Sequence, residues 1–271
     1  MEATTALKRL EEALAEEFGW AVNAVNRAVI SDAVNVKAQR LGLAPEDYCQ
    51  LAVSQSELLA LVEEAAIGAT GFFREPQQFA FLRARLLPEL LQQCPPDRQL
   101  RLWSAACATG EEAYSLAVTV NQVQPQTQQE HVEILATDVR NRALLDASRA
   151  RYPAAALADV DEALRSEFFE STNDSYLVTP AARRLVVFRR LNLFERAYWR
   201  GVAGRFDLIV CTNLLMMLSG LAARQLVTNL GSALREGGYL MVAPAEATLI
   251  HSTKLTALSG APAFFQKSKG A

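Results

Sequence analysis

The chain has 271 residues, 51% of them hydrophobic, which is enough for a large packed core and excludes a disordered polypeptide. Basic and acidic residues nearly cancel, 27 against 30 with a net charge of −3, so a chain-wide electrostatic grip on nucleic acid is excluded. Two histidines and four cysteines, none of them in a C-x-x-C pair, make a metal centre an unexpected feature; the thiols read as the reduced cysteines of a cytosolic protein.

From Met1 to Leu14, Glu, Lys and Arg interrupt the apolar residues, which is no signal peptide. No apolar run is long enough to span a bilayer, so a soluble, cytoplasmic protein without membrane insertion is expected. Leu7, Leu10, Leu14 and Phe18 recur at helical spacing, with Gly19 ending or interrupting the helix. Val22 to Arg40 lacks Pro and Gly and reads as helix. Gly42 breaks it, Pro45-Glu46-Asp47 starts another, and one more runs from Ser56 to Ala66. Residues 1–66 thus form a small all-α domain with no catalytic constellation of its own.

Residues 67–271 have another character. Gly68 to Gly71 is turn-like and precedes Phe72-Phe73-Arg74. Pro76 opens a helix carrying Phe79, Leu82, Leu86 and Leu90, which ends at Cys94-Pro95-Pro96-Asp97. Strands and helices then alternate: strands at 100–104, 132–137, 176–178, 185–189, 206–211 and 239–242, helices at 111–120, 142–149 and 221–234, with Gly237-Gly238 as a turn. Such alternation with apolar strands predicts an α/β fold, a mostly parallel sheet covered by helices on both faces.

Three segments carry chemistry. Leu102 to Ser115 is a strand, a loop of small residues and a helix start, where close backbone approach and helix-start amides favour a ligand. Taken alone, it reads equally as a tight turn. The acids Glu111 and Glu112 disfavour a phosphate and suit a ligand with an ammonium or sulfonium cation. Asp138 ends the next strand, where doubly wound sheets capture ribose hydroxyls, although an Asp there also serves as a helix cap. The strand 206–211 ends in polar Thr212 and Asn213, at the sheet edge where ligands sit.

Together these segments resemble the CheR-type chemotaxis receptor methyltransferases. Thr70-x-Phe-Phe-Arg74 with Pro76 looks like the family's T-x-F-F-R element, and Trp103 to Ser115 like its cofactor loop. Ala136-Thr137-Asp138, Asn192-Leu193 after an arginine-rich strand, Phe206 to Asn213 and Gly237 to Leu240 follow in the family's order. Leu41-Gly42-Leu43 and Tyr48 extend the likeness into the helical domain. The resemblance implies a Rossmann-like methyltransferase domain with a small β-subdomain within about 152–190. It implies S-adenosylmethionine as methyl donor and S-adenosylhomocysteine as product. The implied reaction is methyl-ester formation on glutamates of a methyl-accepting chemotaxis receptor or related signalling protein. Carried over residue by residue, the cofactor positions are Thr70, Arg74, Glu112 with Glu111 beside it, Asp138, Asn192, Leu193 and Asn213, with Thr212 at the same edge. Arg74 is the candidate catalytic residue, holding the incoming carboxylate or the cofactor by charge-assisted bonds. Lys37 and Arg40, with Arg27 nearby, are candidates for a receptor-facing basic surface.

The chain departs from the pattern at Gly68, where Asn is common, at Thr212 for Arg, at Met217 for Tyr, and at Ala243-Pro244-Ala245-Glu246 for a G-H-S-E-like close. These losses fall on the substrate-facing side. The alternative expectation is therefore a catalytically weak or inactive relative that binds S-adenosylmethionine or S-adenosylhomocysteine as a signalling or scaffold module.

Overall fold

The computed structural model describes residues 2–23, 26–65, 70–124 and 131–268. Both the boundary drawn at residues 66 and 67 and the departure at Gly68 lie outside these residues.

Four helices come first: α1 (Glu2–Phe18), α2 (Arg27–Leu41), α3 (Pro45–Ala52) and α4 (Gln55–Glu64). The stripe Ala6, Leu10, Leu14 and Phe18 is buried, and α1 packs on α3. Gly42 ends α2 in a left-handed conformation that lets the Leu43 N–H reach back to the Ala38 carbonyl at 3.0 Å. The helix expected from Val22 to Arg40 begins only at Arg27. Asn26 is the physical reason: its Oδ1 accepts from the Asn23 N–H at 2.9 Å and its Nδ2 donates to the Ala21 carbonyl at 2.8 Å, offering the backbone partners that a helix would otherwise supply.

Next, α5 (Pro76–Phe81) and α6 (Leu87–Gln93) flank a π-helical turn, Leu82–Leu86. The sheet-bearing part follows with β1 (Leu100–Ala105), α7 (Glu111–Val123), β2 (Val132–Asp138) and α8 (Asn141–Arg149). An insertion then carries β3 (Arg151–Pro153), α9 (Glu162–Phe168), β4 (Phe169–Ser171), β5 (Ser175–Val178) and α10 (Pro180–Arg183). The chain continues through β6 (Val186–Arg190), α11 (Arg196–Trp199), β7 (Phe206–Val210), α12 (Gly220–Ala233), β8 (Leu234–Met241), β9 (Leu255–Leu258) and β10 (Ala261–Lys267).

The main sheet has seven strands in the order β6-β2-β1-β7-β8-β10-β9. The run from β6 to β8 is parallel, while β10 and β9 close the edge antiparallel. Alternate residues feed opposite faces: Trp103, Ile209 and Leu240 pack in one core with the N-terminal helices, and Leu102, Leu208 and Met241 in another. The fold is thus the expected α/β class, a parallel sheet buried on both faces.

Two expectations need correction. The strand at 185–189 is not part of the insertion, because β6 pairs with β2 and forms the edge of the main sheet; the small sheet is β3-β5-β4. Gly237 and Gly238 lie within β8, not in a turn. A Cβ at Gly238 would stand 3.0 Å from the Arg235 carbonyl oxygen and 3.1 Å from those of Asp207 and Phe206, so β8 can bend against β7 only without a side chain there. The final hairpin, β9 with β10, was not read from the sequence. Among the described residues, no helix is long and apolar enough to cross a membrane.

Candidate active site

From β1 the chain winds outward to β2 and β6, then crosses back to β7 on the other side of β1. Loops leaving the carboxyl ends of β1 and β7 therefore diverge, and in such sheets the crevice between them is where ligands bind. A cleft open to solvent lies there.

The β1–α7 loop forms its floor. Ala106 (φ 63°) and Ala108 (φ 50°) both adopt left-handed backbone, at roughly 1–2 kcal/mol each for a residue with a Cβ. Bonds to the next strand hold the strain: Cys107 N–H donates to the Thr137 carbonyl at 2.8 Å and Ala108 N–H to Asp138 Oδ2 at 2.9 Å. Gly110 is required here, since a Cβ would stand 2.8 Å from Ala147 Cβ and 2.9 Å from the Tyr152 hydroxyl.

The neighbouring acids part ways. Glu112 lines the cleft; its Oε1 accepts from Ser104 Oγ at 2.6 Å and its Oε2 from Thr212 Oγ1 at 2.5 Å. Enclosure of the carboxyl group pushes its pKa up to about 7, against the two hydroxyl bonds, and nearby Glu246 adds to the rise. Glu111 is buried beneath the floor, tied to Thr109 Oγ1 at 2.7 Å and to the Thr70 side chain; burial raises its pKa too. Thr70 and Arg74 line the cleft themselves, Arg74 from an exposed position.

Asp138 ends β2 at the cleft. Besides Ala108 N–H, it accepts from the backbone N–H of Arg140 at 2.9 Å and from its Nε at 3.3 Å, both on Oδ1. It does not cap α8. That role falls to Glu63 of α4, whose carboxylate accepts from the N–H groups of Asn141 at 2.5 Å and Arg142 at 3.2 Å. Asn192 and Leu193 line the opposite wall; Asn192 Nδ2 donates to the Glu17 carbonyl at 2.9 Å and its Oδ1 accepts from Phe194 N–H at 3.0 Å.

At the end of β7, Thr212 and Asn213 also face the cleft, and Asn213 is held at φ 62°. Fully buried Glu246 stabilises that turn, accepting from the N–H groups of Asn213 at 2.8 Å, Met216 at 3.2 Å and Ala243 at 3.3 Å. Phe18, Trp20 and Met217 complete the apolar wall. Trp20 bridges to Leu218, and the Ala21 N–H donates to the Met217 carbonyl at 2.9 Å, so the chain leaving α1 is stitched to the loop after β7.

Sequence reasoning thus named residues that the fold gathers at one cleft, with Glu111 beneath it. It missed Ser104, Phe18 and Trp20 as lining or supporting groups and saw Glu246 only as a departure from a motif. Lys37, Arg40 and Arg27 do not form a free basic face: they pair with Glu57 at 2.8 Å, Glu64 at 2.6 Å and Glu11 at 3.9 Å.

A carboxylate has about four lone-pair positions. Glu112 uses two on hydroxyls and one on the Thr212 backbone N–H, and Asp138 three on N–H groups, which leaves acceptor capacity for a ligand cation at one and a hydroxyl at the other. With strained small residues below and aromatic side chains along the wall, this donor set fits a nucleoside with a cationic tail. Fold and cleft together define a Rossmann-like, S-adenosylmethionine-dependent methyltransferase. The sequence family described as "CheR methyltransferase, SAM binding domain" matches residues 68–264, and the chain belongs to that family.

A probable chemotaxis protein methyltransferase of Rhizobium etli is 30% identical over 238 residues, spanning 85% of this chain and 88% of that protein. A chemotaxis protein methyltransferase of Listeria monocytogenes is 31% identical over 225 residues, 83% of this chain and 81% of its own length. The probable biofilm formation methyltransferase WspC of Pseudomonas aeruginosa is 32% identical over 244 residues, 89% of this chain but 57% of that protein.

Proposed function

We propose that this protein, acting in the cytoplasm, methylates glutamate side chains on a chemoreceptor-type signalling protein. The observation that carries the reading is the pair Glu112 and Asp138, flanking one strained small-residue loop at the switch point of the sheet. The chemotaxis methyltransferases it resembles along most of its length supply the substrate class.

S-adenosylmethionine, when bound, supplies an electrophilic methyl group on a sulfonium. In this reading Glu112 receives the ligand's ammonium group and Asp138 a ribose hydroxyl. Phe18, Trp20 and Leu193 exclude water from the apolar end, while Thr70, Asn192 and Asn213 shape the walls. Arg74, at the exposed rim, orients the incoming glutamate carboxylate. That carboxylate is already ionised near neutral pH, so no base need remove a proton; alignment is the main demand on the site. The helical segment before residue 67 and the sheet-bearing segment after it act as two domains that share the cleft.

The test is transfer of label from S-adenosylmethionine to a chemoreceptor cytoplasmic fragment, with the product released by base as expected of an ester. Asp138→Ala should weaken S-adenosylhomocysteine binding roughly tenfold or more, the worth of a hydrogen bond to a charged group. Wild-type protein that binds neither nucleoside at millimolar concentration refutes the reading.

A further inference from the structure

Resting on that reading of the cleft, we infer that Thr212 is a positioning residue: its hydroxyl, acting with that of Ser104, clamps the Glu112 carboxylate in the orientation that receives the ligand's ammonium group. Ser104 lies on β1 and Thr212 follows β7, and each engages a different oxygen of Glu112, Ser104 at 2.6 Å and Thr212 at 2.5 Å. A carboxylate gripped on both oxygens from two strands has a fixed plane, with acceptor capacity left for a ligand. Thr212 stands where the family pattern has a guanidinium, so in this chain neutral hydroxyls hold the acid. Each hydroxyl bond also favours the ionised form, the form that binds a cation, in opposition to the enclosure that favours the neutral acid.

Two other carboxyl groups stand near Glu112, Glu246 and Glu111, and burial raises both, so the hydroxyl variants are what assign the pH dependence to Glu112. The Cys107 thiol after β1 and the Cys211 thiol after β7 are pushed well above their usual range by burial. Arg74 and Arg140 also line the cleft, and Asp138 ends β2. Glu246 is bonded to backbone N–H groups of Asn213, Met216 and Ala243, so Ser104→Ala perturbs Glu112 without touching those bonds.

The experiment is a titration of the full chain with S-adenosylmethionine between pH 5.5 and 8.5 as ~half-unit steps, with thermal melting of each variant as the folding control. Glu112 must be ionised to bind the ammonium, so affinity falls as pH drops below about 7 and approaches roughly tenfold per pH unit. Thr212→Val should weaken binding roughly tenfold at neutral pH and move the midpoint to higher pH. Ser104→Ala should do the same from the other oxygen, and Thr212→Ser should restore the wild-type profile by restoring the hydroxyl. If Thr212→Val and Ser104→Ala keep the wild-type midpoint, the clamp is refuted while the cleft reading stands. If the wild type itself fails to bind, both fall.

Discussion

Gly19 and Gly42 offer a controlled experiment built into the chain. Each ends a helix in left-handed backbone, at φ 69° and 67°, and each lets the next residue's N–H reach back to close the helix: Trp20 to Leu14 and Leu43 to Ala38. Their surroundings differ. A Cβ at Gly42 would meet nothing within 4 Å, whereas one at Gly19 would lie 2.2 Å from Phe194 Cζ and 2.6 Å from Cε1. Gly42→Ala should therefore cost only the left-handed penalty, about 1 kcal/mol, or roughly 2–4 °C in melting temperature for a chain of this size. Gly19→Ala carries the same penalty plus the displacement of an aromatic ring in a packed wall, roughly 1–3 kcal/mol more, so its melting point should fall by roughly 4–16 °C. Phe194 lines the cleft, so the second readout is S-adenosylhomocysteine affinity, weakened in Gly19→Ala and unchanged in Gly42→Ala. Adding Phe194→Leu to Gly19→Ala should recover part of the loss. Equal melting points for the two glycine variants would refute the claim that the end of α1 is locked by that ring.

Three further outcomes can be measured with the same assays. Asp207→Asn removes the charge of a fully buried carboxylate that accepts from Arg98 at 2.8 and 3.0 Å and from Arg101 N–H at 2.8 Å and pairs with Arg235; it should cost about 3–5 kcal/mol in denaturant unfolding. Because Asp207 sits at the opposite end of β7 from the cleft, cofactor affinity of the folded variant should not change. Glu246→Gln replaces one acceptor oxygen by a donor facing backbone N–H groups; it should lower stability by about 1.5–3 kcal/mol and, through Asn213, weaken cofactor binding as well. Met217→Tyr should lower KM for the receptor fragment with kcat changed less than about threefold, within about 0.7 kcal/mol, whereas a large rise in kcat would show the phenol to be needed for the chemical step.

Much of the sheet was legible because its signals are local. The apolar runs of β1, β2 and β7, the small-residue loop before α7 and the acid closing β2 are each written in a few adjacent residues. What failed to show depended on partners distant in the chain. Glu246 takes its role from N–H groups some thirty residues back, Phe18 and Trp20 reach the cleft only because α1 docks beside the loop after β7, and Ser104 was simply one small residue among several. The strand β6 was visible as a strand, but its place depended on pairing with β2, with Ile134 opposite Val186, which no local pattern encodes. The late start of α2 at Arg27 hid for another reason: helix propensity cannot anticipate a fully buried Asn26 whose side chain bonds the backbone of Ala21 and Asn23.

The departures at Thr212 and Met217 bear on whether such a cleft can support transfer at all. Ester formation from a carboxylate and a sulfonium consumes one negative and one positive charge and leaves neutral products. Charge is thus more concentrated in the bound reactants than in the transition state, and a polar group aimed at either reactant charge stabilises the ground state more. Met217, buried in the cleft wall with its carbonyl fixed by Ala21, presents an apolar surface, and the Thr212 hydroxyl is committed to Glu112. Neither solvates the reacting pair. In the proposed reaction, losing the phenol at Met217 should therefore weaken capture of the receptor glutamate more than it slows the transfer, while Thr212 acts on the cofactor side through Glu112. What remains is a rigid frame: Glu112 is gripped by two hydroxyls, Glu246 fixes the turn after β7, and the end of α1 is stitched to the loop beyond it.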